Sequence, residues 1–186
     1  EQAAERRISE RTPTAYIVGS AWFAGYRFII NENALVPRSP IAELINNRFI
    51  GIAKSEPHSM LDLCTGSGCI GIATALEFEQ ARVVLADISE SCVELANTNI
   101  HLHHLEDRVK AVLSDGFSAI EGKFDLILAN PPYVSDAEYS ELPKEYLAEP
   151  ALGLVSPDDG LALPIHLMRS AAAHLHDDGV LIMEVG

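Results

Sequence analysis

The stretch Met60-Leu-Asp-Leu-Cys-Thr-Gly-Ser-Gly-Cys-Ile-Gly71 decides the fold. A short apolar run leads into a turn in which Gly66, Gly68 and Gly71 satisfy G-x-G-x-x-G, and a helical stretch follows over 67–78. Strand, glycine turn and helix in that order open a βαβ unit, and small residues at the turn let the backbone approach a ligand closely. A plain tight turn has the same spelling, so the remaining strand ends must decide between the two.

Working outward, four more strand-like runs follow: 82–86, 108–113, 124–129 and 179–183. Helical candidates lie at 89–103 and 161–175. Alternation at this spacing predicts an α/β fold with a parallel sheet. Upstream, residues 1–11 read as the end of a helical segment that stops at Pro13. Aromatic and β-branched residues between Tyr16 and Pro37, interrupted by Gly19 and Gly25, predict a β-hairpin. Ser39 and Pro40 then start a helix whose apolar residues Ile41, Leu44, Ile45, Phe49 and Ile52 keep helical spacing. The division expected is therefore 1–37 for the helical end and hairpin, and 38–186 for the core.

The chain has 186 residues and a formal net charge of −14. That length fits one domain, and no run of about 18 apolar residues exists to span a membrane. The acidic balance argues against binding nucleic acid by neutralising phosphates and leaves basic partners open. Three cysteines in a chain without a signal peptide favour a reducing compartment, expected to be the cytoplasm, over a disulfide framework. They are too few and wrongly spaced for structural zinc, and no metal is expected. The start at Glu1 and the stop directly after Val180-Leu-Ile-Met-Glu-Val185 read as an excerpt of a longer protein.

Acids stand at successive strand ends. Asp87 closes the second run, 25 residues after Asp62. It suits the two hydroxyls of a ribose, or it caps the next helix alone or with Ser89. The third run ends in Ser114-Asp115-Gly116-Phe117, where a carboxylate can accept an adenine amino proton and Phe117 can lie by the ring. Three such ends in succession favour a nucleotide-like cofactor over a plain turn. The fourth run ends in Asn130-Pro131-Pro132-Tyr133. Two prolines fix two φ angles and remove two donors, which leaves the Pro131 carbonyl on display beside the Asn130 amide. Two acceptors at one point bind both protons of a planar NH2 group, and Tyr133 offers a face to the group that carries it. The connection after this turn, 130–159, carries five prolines and is too long to be structural filler. Its acids Glu141, Glu145 and Glu149 read as solvated, or as a surface for a basic protein substrate.

Asp62-x-x-Thr-Gly-Ser-Gly68, Asp87 and Asn130-Pro-Pro-Tyr133 together resemble the class I S-adenosylmethionine-dependent methyltransferases that act on a planar amino or amide nitrogen. Arg11-Thr-Pro-Thr-Ala-Tyr-Ile-Val-Gly19, Ala34-Leu-Val-Pro-Arg-Ser-Pro-Ile-Ala-Glu43, Glu149-Pro-Ala-Leu152 and Asp159-Gly-Leu161 narrow the resemblance to the protein-glutamine methyltransferases. The wording at 36–43 is nearer to the branch that modifies ribosomal protein L-three than to the release-factor branch. The resemblance implies a Rossmann-like, doubly wound, mostly parallel core. It also implies a helical domain before residue 1 and two strands after Gly186, so the core would be truncated after its fifth strand. It implies S-adenosylmethionine as methyl donor, bound by Asp62, Cys64, Thr65, Gly66, Ser67, Gly68, Asp87, Asp115, Gly116 and Asn130. Asn130, Pro131, Pro132 and Tyr133 would hold a glutamine side chain, with Asn130, Pro131 and Tyr133 as the catalytic group. The substrate implied is a basic ribosomal protein, with release factors, adenine in DNA or a base in RNA as alternatives. Two positions depart from the pattern: Cys64 stands where related turns commonly have Gly, and Gly116 where the release-factor branch often has an aromatic residue.

Overall fold

The computed structural model describes residues 2–186. Helix α1 (Gln2–Ile8) and a helical turn α2 (Thr14–Val18) lead into a two-stranded hairpin, β1 (Ser20–Phe23) and β2 (Tyr26–Ile29). The hairpin is shorter than its sequence signal suggests, because Tyr16 belongs to α2, where its hydroxyl donates to the Ala34 carbonyl at 2.6 Å. Phe23 pairs with Tyr26 across Ala24 and Gly25, whose φ angles of 47° and 86° give the left-handed pair a tight hairpin needs.

Helix α3 (Ile41–Asn46) starts where expected, with the Ser39 hydroxyl accepting from the Ile41 N–H at 3.2 Å. It ends a turn early. Arg48 and Phe49 both take positive φ, so Phe49 reaches the core from a left-handed turn and Ile52 is left largely exposed.

The main sheet has five strands, all parallel: β3 (Ser59–Leu63), β4 (Arg82–Asp87), β5 (Val109–Leu113), β6 (Phe124–Ala129) and β7 (Leu175–Met183). Their order is β5-β4-β3-β6-β7, so the chain moves outward from β3 first to one side and then to the other. That reversal leaves a crevice beyond the carboxyl ends of β3 and β6. Strand β7 begins at Leu175, earlier than its apolar run, because Leu175 pairs with Phe124 before the register shifts and resumes at Val180 opposite Leu126.

Both faces of the sheet are buried, as an all-parallel sheet requires. On one face Met60, Val83, Leu85, Val109, Leu126 and Leu128 join a core with α3, the hairpin, α4 (Cys69–Glu77) and α5 (Glu90–Leu102). On the other, Leu61, Leu63, Ala86, Ile127 and Ala129 pack with Phe117, Ile120 and α8 (Ala162–Ala171). Asn99 of α5 is fully buried and fastens the hairpin to the core. Its amide accepts from the Ile29 N–H at 2.7 Å and donates to the Ile29 carbonyl at 3.0 Å and the Ser67 carbonyl at 2.8 Å.

The turn between β3 and α4 is organised from behind by Asp62. Its Oδ2 accepts from the Thr65 hydroxyl and, at 2.9 Å, from the Gly71 N–H, while Oδ1 is buried without a partner among the described residues. A Cβ on Gly71 would come within 2.2 Å of Leu85, and one on Gly68, whose φ is 82°, within 2.9 Å of Ile72. These two glycines serve helix-on-strand packing. Cys64 takes φ 55°, a glycine-type conformation that explains why related turns favour Gly there and that costs an L-residue about 1–2 kcal/mol.

Burial raises the Asp62 carboxyl from 3.8 to about 7, against the pull of its two hydrogen bonds. A raised folded-state value means that the folded protein holds its proton more tightly than the unfolded chain, so this group's contribution falls as pH rises from about 4 to about 7 and is flat above that. Denaturant titrations of the wild type and Asp62→Asn between about pH 5 and pH 7 should therefore show the wild type losing up to about 1.4 kcal/mol per pH unit relative to the variant. A difference that stays constant across that interval contradicts the account.

Candidate functional site

The carboxyl edges of β3, β4 and β6 open into one cavity of about 830 Å³, in the size range of a cofactor pocket. Its floor is the β3–α4 turn, the ends of β4 and β5, and the turn after β6; its roof is 33–39 and the long connection. Cys64, Thr65, Gly66, Ser67, Asp87, Asp115, Gly116 and Asn130 through Tyr133 all line it. Asp62 and Gly68 do not. They stand behind the turn and shape it, as described above.

Asp87, at the end of β4, is engaged by the protein on both oxygens: Oδ2 accepts from the Gly66 N–H at 2.8 Å and Oδ1 from the Ser89 N–H at 3.0 Å. The α5 cap itself is Ser89, whose hydroxyl accepts from the Cys92 N–H. A carboxylate has about four acceptor sites, so Asp87 keeps capacity for a ligand in the cavity it lines. Burial pushes its carboxyl upward, opposed by those N–H bonds. Phe117 is a correction to the sequence reading. It turns away from the cavity and stacks on His174 at 4.5 Å between ring centres, inside the core on the α8 face. Gly116 has a physical reason to stay small, since a Cβ there would press on Leu167 of α8 at 3.2 Å.

The cavity is electronegative near the turn. Burial, followed by Asp87, Asp62 and Asp115, drives the Cys64 thiol upward, and burial raises Cys69 to about 12 and Cys92 to about 11. The three cysteines are thus neutral thiols without nucleophilic character near pH 7. The same field favours a cationic guest. Among the described residues, no group of three or more His, Cys, Asp or Glu side chains is arranged to hold a metal ion.

Beyond Ala129 the edge changes character. The Ala129 carbonyl still accepts from the Glu184 N–H at 2.9 Å, but no described donor reaches the Pro131 carbonyl or the Asn130 side chain. Both acceptors are therefore without a protein partner among the described residues, in a cavity that Tyr133 also lines. The following connection is not irregular throughout. It contains α6 (Asp136–Glu141) with a Ser135–Glu138 capping box, α7 (Lys144–Leu147) and a 3₁₀ turn (Ala151–Gly153), and it returns to Val134 through a bridge with Val155.

Glu149 overturns the expectation of a solvated acid. Its side chain is 3% exposed, and it accepts from the Val36 N–H at 2.9 Å and the Arg38 guanidinium at 2.7 Å. Arg38 also lies over the Tyr146 ring at 4.7 Å. This latch joins the two strips of the roof. Glu145 is likewise paired, with Arg7 and Arg11, whereas Glu141 is exposed. Two lining elements escaped the sequence reading: the rigid 33–39 strip and Glu184. The signal for Glu184 was present, because it is an acid directly after a strand, like Asp87.

The methyltransferase small domain family model matches residues 49–156. The chain is 48% identical over 184 residues to the ribosomal protein uL3 glutamine methyltransferase of Francisella tularensis subsp. tularensis, covering 97% of this chain and 59% of that protein. It is 49% identical over 184 residues to the protein of the same name from Xylella fastidiosa strain Temecula1, covering 98% of this chain and 59% of that one. The chain thus spans 59% of the length of these curated relatives. Among solved structures it is similar in fold to the ribosomal protein L11 methylase of Lactobacillus delbrueckii subsp. bulgaricus, with a TM-score of 0.51, 24% identity, and coverage of 75% of this chain and 54% of that one. A glycine turn, three acids around it and two free acceptors at the fourth strand end are therefore set in a framework already known among such enzymes: the chain belongs to the methyltransferase small domain family.

Proposed function

We propose that the protein of which this chain is part transfers a methyl group from S-adenosylmethionine to the side-chain amide nitrogen of a glutamine in ribosomal protein uL3. One observation supports the reading: Asn130 and Pro131, whose side chain and carbonyl accept from no donor among the described residues, line the same cavity as Asp87 and the β3–α4 turn. Relatives that carry the uL3 glutamine methyltransferase name support the choice of substrate. The net charge of −14 suits a basic ribosomal protein.

S-adenosylmethionine supplies a methyl group on a sulfonium. The residues present fit it: Asp87 has acceptor sites left that would take ribose hydroxyls, Asp115 and Gly116 line the cavity where they would border the adenine, and the carboxylates that raise the Cys64 thiol favour the donor's positive charge. An amide nitrogen is a weak nucleophile, because its lone pair is delocalised into the carbonyl. Asn130 Oδ1 and the Pro131 carbonyl would accept its two N–H bonds, fix the NH2 plane and leave the lone pair facing the methyl group. Alignment of this kind contributes about 7–11 kcal/mol. The same two acceptor dipoles would stabilise the positive charge that develops on nitrogen as its bond to the methyl carbon forms and the carbon–sulfur bond breaks, and the nitrogen then sheds one of its two protons to water. Tyr133 confines the side chain on its open face.

The reading is tested by incubating the full-length enzyme with labelled cofactor and, in parallel, purified uL3, release factors and nucleic acid, then mapping the modified residue by mass spectrometry. Label on a uL3 glutamine is expected; label confined to release factors or nucleic acid overturns the assignment. Asn130→Ala should lower kcat by about 100-fold or more while leaving cofactor affinity within about threefold. Equal losses in both would count against its role. Asp87→Ala should weaken cofactor binding about 10- to 100-fold by calorimetry, with circular dichroism confirming the fold, since hydrogen bonds to a charged group contribute about 1.5–3 kcal/mol. Unchanged affinity would sink the ribose assignment.

A further inference from the structure

Glu184 is an ionisable side chain in the cavity that the reaction above leaves without a task. Glu184 follows β7 directly and lines the cavity with Asn130 and Tyr133. Its Oε1 accepts the Tyr133 hydroxyl at 2.9 Å; its Oε2 is buried without a partner among the described residues. An unsatisfied buried carboxylate oxygen costs stability, and a neutral residue would fill this place at lower cost. Structural need alone does not account for Glu184.

The other contacts of Tyr133 point to what the carboxylate does. A Cβ on Gly160 would lie 2.0 Å from the Tyr133 carbonyl oxygen, and one on Gly186 would lie 3.0 Å from ring atom Cδ2. Gly160 closes a run of three left-handed residues, Asp158, Asp159 and Gly160, with φ of 54°, 54° and 82°. Strain of this kind persists only where the surroundings over-determine it, and here it brings backbone directly under the Tyr133 peptide. Backbone thus approaches closely at the Tyr133 carbonyl and along one ring edge, leaving no room for a side chain at Gly160, and the hydroxyl is bonded to Glu184. The hydroxyl bond to Glu184 holds the far end of the ring and so constrains its angle. Burial, then the bond to Glu184, pushes the Tyr133 phenol up to about 12, so it stays a neutral donor across the working range of pH.

We propose that Glu184 is a positioning residue for methyl transfer: by accepting the Tyr133 hydroxyl it fixes the ring across the amide-binding turn, and the ring in turn holds the substrate NH2 in line with the methyl group. This rests on the reading of Asn130 through Tyr133 as the amide site. Glu184 does not touch the reacting atoms and needs no charge for the task, only an acceptor.

The test is a double-mutant cycle on the full-length enzyme with uL3 as substrate. Glu184→Ala and Tyr133→Phe should each lower kcat about 10- to 100-fold, with KM for uL3 and cofactor affinity within about threefold. The double variant should lose no more than the worse single one, because both remove the same contact. Glu184→Gln, whose side-chain carbonyl still accepts the hydroxyl, should recover most of the rate. Should alanine lower the melting temperature, Glu184→Met, similar in length and lacking a comparable acceptor, takes its place. An unimpaired Glu184→Ala enzyme, multiplicative losses in the double variant, or a Gln variant as slow as Ala overturns the inference while glutamine methylation by the wild type still stands. A wild type that methylates only another acceptor overturns the functional reading instead, and the cycle is then read on that acceptor with the same criteria.

Discussion

Asp62 accepts the Thr65 hydroxyl and the Gly71 N–H on a single carboxylate oxygen, and the geometry of the cavity follows from that pair of bonds. They tie Thr65, early in the turn after β3, and Gly71, in the first turn of α4, to one side chain, which fixes the path of the segment between them. Cys64 is forced into a left-handed conformation, and Gly66 places its N–H on Asp87 of the neighbouring strand. One strand end is thereby tied to the next. The arrangement requires a carboxylate buried deeply enough to raise its proton affinity to about neutrality. Such a group is tolerated where it organises a site, and it makes the turn a place where stability has been traded for shape.

The roof is held by a different device. Glu149 of the long connection lies 113 residues from Val36 and 111 from Arg38, yet it joins the 33–39 strip through the Val36 N–H and the Arg38 guanidinium. Removing Arg38 would leave the buried carboxylate without its compensating charge, and losing the Val36 N–H would leave one of its oxygens without a donor. The two strips of the roof are therefore held together. Below it, Asn99 links the hairpin to the β3–α4 turn, so the amino-terminal strip that supplies Ala34 and Val36 is anchored on the same helix that Ser89 caps.

Much of this could be read from the chain. The parallel strands were legible because Val, Ile and Leu runs are bounded by turns at regular intervals, and the floor of the cavity because acids and glycines recur at strand ends. The diproline was legible for a stereochemical reason: two consecutive residues without N–H groups must end a ladder. What stayed hidden depends on partners far away in sequence. Glu149 looked solvated, since nothing local shows that Val36 and Arg38 would cover it. Phe117 followed Asp115 and Gly116 into the expected adenine site, whereas the positive φ at Gly116 turns the chain and sends the ring to His174. Glu184 fits the strand-end rule, but its bond to Tyr133 depends on β7 lying beside β6, an adjacency set by sheet order. The early end of α3 reflects left-handed turns at Arg48 and Phe49 that the apolar spacing alone does not reveal.

In the proposed reaction Asn130 and the Pro131 carbonyl would present a planar NH2 group, through its nitrogen, to a methyl donor bound over the β3–α4 turn. The most direct measurement uses full-length enzyme, cofactor with an isotope-labelled methyl group, and uL3 in which glutamine side-chain nitrogen is isotope-labelled, with the product observed by nuclear magnetic resonance. The account predicts a one-bond coupling between the transferred methyl carbon and a glutamine amide nitrogen. A methyl signal on the modified protein without coupling to that nitrogen would contradict it.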